Sequence, residues 1–370
     1  MTMLPLYLGF VFISLLGFLE LFSSGRGYKI LYSALIIVTL VSVASLRSVG
    51  VGSDDLAYVS IFNSVPNFID CENFLCGYSH SAYGVEIGFF WFLSILSVFS
   101  YSQYWLFFSV AFLSVYFNLK GIRYFSPYVG ASSLVYFSHF FLAKEMNAIR
   151  VGLASAVLFF SVIFLTQRRY FLMSLLFVLA VIFHVTSLIF LIPLVVYLIA
   201  PGRLIYLLAG LSIVFFVLFF DLSWLVSYLA SFGPGFVGEK ISLYLNSDEY
   251  NYVLPVFDVV NIRNLLIISF SLLFWNKISL RYEWFSTAFC FFYSAAMFRI
   301  LFGHFAIFAG RGYSVISMFE YILIPCLACF AFGRRKGYFL ILVYTLLTLW
   351  INLTFNNGWS GGAEYFDDSF

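Results

Sequence analysis

The chain has 370 residues, of which 63% are apolar and only 10% charged, with a mean hydropathy of +1.01. A soluble domain is roughly one quarter charged, so this chain has too little polar surface to cover a soluble fold. The net charge of +2 gives no reason to expect nucleic acid as a partner.

Apolar runs of roughly 17–20 residues point to helices crossing a bilayer, since a barrel would show shorter alternating segments. The apolar start, 4–21, has no basic leader and no small-x-small cleavage site, so it reads as a first span rather than a signal peptide. The expectation is an all-α polytopic membrane protein of about twelve transmembrane helices. They fall near 4–22, 29–46, 102–118, 128–143, 150–166, 170–183, 186–200, 204–220, 263–276, 282–301, 312–332 and 338–356. The segments 170–183 and 186–200 are short, which leaves two spans, one tilted span or a broken helix open.

Charge sets the orientation. Short loops holding Arg26, Lys29, Lys120, Arg123, Arg168, Arg169, Arg203, Lys277, Arg281, Arg334, Arg335 and Lys336 take 12 of the 19 basic residues, and 14 of the 17 acids lie on the other side. Basic loops stay in the cytoplasm. The chain then reads as a single membrane domain, 1–370, whose outer loops are 47–101 and 221–262, with the C-terminus also outside. This assignment keeps the run 88–99 from crossing. It is too short to span, and Trp91 with its phenylalanines suits an interfacial or re-entrant helix. Residues 224–230 are a second interfacial candidate.

Chemistry is sought where charge sits at outer helix ends, because a charge at membrane depth needs a partner or a task. The stretch L-R-S-V-G-V-G-S-D-D-L-A-Y carries Arg47, Asp54, Asp55 and Tyr58. Gly50 and Gly52 permit turns, and Asp54 and Tyr58 share a face if Asp54 opens a helix. A general base, a hydroxyl anchor and a plain helix cap all remain open. Glu86 precedes the interfacial run, as a second carboxylate or as an acid favoured by a helix N-terminus. Lys144, Asn147 and Arg150 recur every three residues, before Gly152 and Ala156, which allow close helix packing. An arginine there suits a diphosphate, or snorkels to headgroups. His184 lies at the outer turn between the two short segments. Arg311, flanked by glycines, is followed by Tyr313 and by Glu320, which pairs with a base deeper in the membrane or is protonated. Cys71 and Cys76 share the first outer loop and are candidates for a disulfide. Phosphate-loop, dinucleotide, zinc-hydrolase and nucleophile-elbow patterns are lacking, and the four histidines have no metal-ligand spacing, so neither cofactor nor metal is expected.

In order, L-R-S-V-G-V-G-S-D-D-L-A-Y, V-E-I-G-F, N-A-I-R-V-G-L-A-S-A, F-H-V-T-S-L-I-F-L-I-P and A-G-R-G-Y-S-V-I resemble the EpsG family of bacterial polysaccharide polymerases, a branch of the Wzy O-antigen polymerase group. The family pattern has one aspartate with a tyrosine four residues on. That selects Asp54 with Tyr58 and sets Asp55 where the family often has an aromatic residue. The resemblance implies a GT-C-like bundle in the bacterial inner membrane with a periplasmic active site. There a glycan would pass from undecaprenyl diphosphate to the terminal sugar of an incoming undecaprenyl-diphosphate-linked repeat unit. Asp54, Glu86 and His184 are then the catalytic candidates. Arg47, Tyr58, Asn147, Arg150, Arg311 and Tyr313 are the substrate- and diphosphate-binding ones. The bilayer is a partner, with a chain-length co-polymerase and a flippase as possible others. A flippase and an O-antigen ligase are the rival activities.

Overall fold

A computed structural model describes residues 3–23, 25–72, 75–79, 83–220, 228 and 253–355. The expected interfacial piece at 224–230 lies outside them but for Tyr228. Among the described residues the secondary structure is helical, without strands.

Each expected apolar segment coincides with a helix or helical run. Four runs are long and apolar enough to cross a membrane: Gly27–Ser45, Gln103–Phe125, Ile149–Thr166 and Ala306–Thr354. A fifth is Val259–Leu273 with Trp275–Arg281, if that pair, bent by 78°, is one span. The last of the four is interrupted at Gly333, whose φ of +77° is left-handed and ends a helix. Six further apolar helices are shorter, 10–17 residues. The helix Ile87–Ser97 is among them, matching the run set aside as too short to span.

The chain divides into two compact units, one of residues up to Leu188 and from Ile324 onward, the other Ile189–Leu323. In the first lie α1 (Leu4–Glu20), α2 (Arg26–Ser45), α3 (Asp55–Ser64), α4 (Ile87–Ser97) and α5 (Gln103–Phe125). Then comes α6, which runs from Val129–Val135 through a π-helical Tyr136–Phe141 to Leu142–Lys144. It is followed by α7 (Ile149–Thr166) and α8 (Tyr170–Phe183). The second unit holds α9 (Leu191–Ile199), α10 (Arg203–Phe219), α11 (Val259–Leu273), α12 (Trp275–Arg281), α13 (Phe285–Leu301) and α14 (Ala306–Ile316). Helix α15 (Glu320–Phe332) leads back to the first unit, where α16 (Arg334–Phe355) ends the described chain.

In the first unit α7 is the hub, packed on α5 and α8. Its small residues Gly152, Ala154, Ser155 and Ala156 are all buried, so neighbouring backbones come close. Glu20, at the end of α1, accepts the N–H groups of Val129 (2.9 Å) and Gly130 (2.7 Å), and Arg334 donates to its carbonyl. That staple uses the free N-terminal donors of α6. In the second unit α13 is the centre, with α9, α10, α11 and α14 around it.

The open question at 170–200 is answered by a break. His184 is extended (φ −159°, ψ 119°), and the chain resumes as a 3-10 turn, Val185–Phe190, before α9. The break turns the imidazole out of the helix line.

Candidate functional site

The glycine-rich stretch folds around a buried ion pair. Arg47 Nη2 lies 2.8 Å from Asp55 Oδ1, with both side chains 0% exposed. Its Nε reaches the same carboxylate (3.2 Å), its Nη1 donates to the Ala44 carbonyl (2.6 Å), and the guanidinium sits 3.8 Å from the Phe107 ring centre. Asp55 also accepts the Gly52 N–H at 2.8 Å. Arg47 therefore meets Asp55, the acid that the family pattern leaves without a role.

Asp54, one residue earlier, is exposed at the N-cap of α3. Its N–H and the Ser53 hydroxyl both donate to Asn147 Oδ1 (3.1 and 2.9 Å). Gly50 makes the turn with φ +99°, whereas Gly52 is needed for space: a Cβ there would lie 2.1 Å from the Met146 carbonyl oxygen. The close approach lays this stretch on 146–147, in the turn just before the start of α7.

The second cluster joins residues far apart in sequence. Glu86 Oε2 accepts from Arg150 Nη1 at 2.7 Å, and Oε1 accepts from His184 Nδ1 at 2.9 Å and the Val185 N–H at 3.3 Å. Arg150 also donates to the Gly84 carbonyl (3.2 Å) and lies 5.7 Å from the centre of the Tyr58 ring. Tyr58 is buried edge-on to Phe89. Gly88 lets α4 approach α8 closely enough for these contacts, since a Cβ would meet the Ile182 carbonyl at 2.7 Å.

The electrostatics follow from that geometry. Burial pushes the Glu86 carboxyl up, but the His184 hydrogen bond and charge, with the Arg150 charge, outweigh it and hold Glu86 at about 2. Burial raises the Tyr58 phenol, against the pull of Arg150. Glu86 is thus an ionised acceptor that donates nothing, so His184 Nδ1 must be its donor. When the imidazole is neutral, Nε2 then carries the lone pair. That Nε2 is buried and has no hydrogen-bond partner among the described residues, and neither does Arg150 Nε. A carboxylate-oriented imidazole beside an arginine can accept a proton from a hydroxyl and hold an anion at one place.

The second unit holds the remaining two candidates. Arg311 is exposed on α14. Tyr313 is buried, its hydroxyl donating to Glu320 (2.6 Å) and lying 3.1 Å from Asn264 Oδ1. Arg263 donates to Glu320 and to the Tyr313 hydroxyl, both at 2.8 Å, and so is the base that Glu320 meets. Arg299 pairs with Asp258 at 2.7 Å. The sequence reading passed over Arg263 and Arg299, although both are basic residues outside the cytoplasmic-type loops. Cys71 and Cys76 form a disulfide. Among the described residues no three His, Cys, Asp or Glu side chains converge as a metal site.

The EpsG family model matches residues 30–366. Over 300 residues the chain is 27% identical to the amylovoran biosynthesis protein AmsC of Erwinia amylovora, covering 74% of this chain and 72% of that protein. No solved structure matches. A match over nearly the whole chain, holding every motif from Arg47 to Arg311, decides the matter: the chain belongs to the EpsG family.

Proposed function

We propose that this protein is a membrane polysaccharide polymerase. It moves a growing glycan from undecaprenyl diphosphate onto the terminal sugar hydroxyl of an incoming undecaprenyl-diphosphate-linked repeat unit, at the periplasmic face. The twelve apolar helical segments cross the inner membrane in a GT-C-like bundle. One observation carries the chemistry: in an EpsG-family chain, His184 is oriented by an ionised Glu86, has a buried Nε2 with no partner among the described residues, and stands with Arg150.

The acceptor hydroxyl oxygen attacks the anomeric carbon while its proton passes to His184 Nε2. The bond from that carbon to the diphosphate oxygen breaks, and the electron pair leaves with the diphosphate. Arg150 stabilises the growing charge. Glu86 orients the imidazole and is not itself the base, because both its oxygens are occupied and it is held at about 2. Asp54, exposed beside Asn147, hydrogen-bonds sugar hydroxyls. Arg47 serves as a strut with Asp55. The Cys71–Cys76 disulfide supports the outward placement of this loop, because disulfides persist in oxidising compartments.

The test is purified protein with a defined undecaprenyl-diphosphate repeat unit. Polymer should form with wild-type protein and not with His184→Ala; absence of polymer with wild-type protein would refute the reading. In a deletion strain, single-unit lipopolysaccharide marks a lost polymerase, whereas polymer stranded on undecaprenyl diphosphate marks a lost ligase.

A further inference from the structure

The first unit has polar chemistry at both ends of the same helices. Arg150 opens α7, and Ile163 lies 13 residues along it, about 20 Å away at 1.5 Å per residue. There, α2, α5 and α7 border a half-open cavity of about 730 Å³ lined by Lys29, Lys120, Arg123 and Tyr124, with Ile30 and Ile163 as apolar walls. Three cations face one space, and among the described residues no carboxylate lines it.

Among the described residues, none of the three cations lies in an ion pair within 4 Å. Lys120 rests 5.1 Å from the Tyr116 ring centre. Lys29 is near enough to Glu20 for its charge to be felt, but the Glu20 oxygens are taken by the N–H groups of Val129 and Gly130. Glu20 therefore offsets Lys29 only in part, and among the described residues no carboxylate pairs with Lys120 or Arg123. Like charges facing one half-buried space repel one another, and an anion held there relieves that repulsion. The volume exceeds what a single ion needs, and the isoleucines give a surface for something other than water.

We infer that this cavity binds a phosphate-bearing anion through Lys29, Lys120 and Arg123, at the opposite end of α7 from the Glu86–Arg150–His184 cluster. The shared chemistry is a phosphate with an adjoining apolar or glycerol part. The source is either an anionic phospholipid headgroup, as basic pockets between membrane helices take, or a soluble phosphorylated compound. The site stands on its own cations and does not depend on the activity proposed above.

The experiment uses full-length protein in neutral detergent. Native mass spectrometry and thermal melting are run with cardiolipin, with phosphatidylethanolamine and with millimolar inorganic phosphate. Three proteins are compared: wild type, Lys29→Gln/Lys120→Gln/Arg123→Gln, and a control, Lys336→Gln, altering an exposed cation on α16. Either anion should raise the wild-type melting temperature and be retained on the protein, roughly fivefold more weakly per charge removed and on the order of a hundredfold for all three. A response to cardiolipin alone identifies a lipid site, and a response to phosphate alone identifies a soluble ligand. Equal responses in wild type and triple variant overturn the proposal, as does an equal loss in Lys336→Gln. Should the triple variant not fold, Lys120→Gln alone is measured by lipid retention, and unchanged retention overturns it.

Discussion

Two arginine–carboxylate pairs in the first unit have the same chemistry and opposite surroundings. Arg47 and Asp55 are sealed at 0% exposure, and their contacts run to a carbonyl, a backbone N–H and the Phe107 ring. Arg150 and Glu86 are 18% and 10% exposed and are joined by an imidazole whose second nitrogen has no partner among the described residues. A closed pair holds the chain in place, because water and substrate cannot reach it. A pair with an open valence spends part of its hydrogen-bonding capacity on the fold and keeps part for a ligand.

The largest expected effect separates the two at once. Removing one partner of a sealed pair leaves a buried charge uncompensated, at a cost of about 3–5 kcal/mol. Arg47→Ala and Asp55→Ala should therefore fail to accumulate in membranes or melt far below wild type in detergent. If Asp55→Ala melts normally but makes no polymer, the sealed pair is chemical after all and the distinction between the pairs collapses.

His184→Ala comes next. Loss of a positioned general base lowers the rate by about 10²–10⁴-fold. The fold should persist, because among the described residues the imidazole's one side-chain hydrogen bond is to Glu86. Initial rates with a lipid-linked repeat unit, beside melting curves, check both halves. A parallel loss of rate and stability would make His184 a strut like Arg47. Glu86→Gln should cost less rate than His184→Ala, since it disturbs orientation and leaves the base in place.

The third prediction concerns pH. Glu86 in the folded chain titrates at about 2, below its ordinary value of 4.5. Its pairing therefore contributes stability that is fully present above about 4.5 and lost as pH falls toward 2, in total roughly 3 kcal/mol. Melting temperatures of wild type and Glu86→Gln should differ clearly at pH 5 and converge as pH falls below 4 toward 2. A gap already lost at pH 5 would mean that His184 and Arg150 do not hold the carboxylate as drawn.

Why some of this was legible in the sequence and some was not has physical reasons. Apolar runs such as 150–166 announce helices because length and hydropathy are local properties, and the shortness of 88–99 was readable for the same reason. Glu86, Arg150 and His184 were each visible as charged or polar residues at helix ends. Their convergence was not, for the contacts bridge 64 and 98 positions and depend on how closely Gly88 lets α4 meet α8. Asp54 and Asp55 show the limit most plainly. Adjacent residues at a helix start differ by about 100° in direction, so one faces in and the other out. Which one faces in is fixed by Arg47, and composition carries no sign of that. Arg263 and Glu320, 57 positions apart, were likewise visible only as a charge in need of a partner.

The smallest effect tests how Asp54 is held. Asn147 Oδ1 accepts from both Ser53 and Asp54, at exposed positions. Two such hydrogen bonds are worth about 1–2 kcal/mol together at most. Asn147→Ala should lower the melting temperature by a few degrees and the rate several-fold, because the N-terminus of α3 then drifts from Arg150. Asn147→Asp keeps an acceptor for both donors and should recover stability, while its added negative charge beside Asp54 opposes an anionic substrate. Rate and stability would then part company in the aspartate variant alone. If Asn147→Ala matches wild type in both measurements, Asp54 is placed by the sealed Arg47–Asp55 pair through the peptide bond that joins it to Asp55, and the two regions are mechanically a single device.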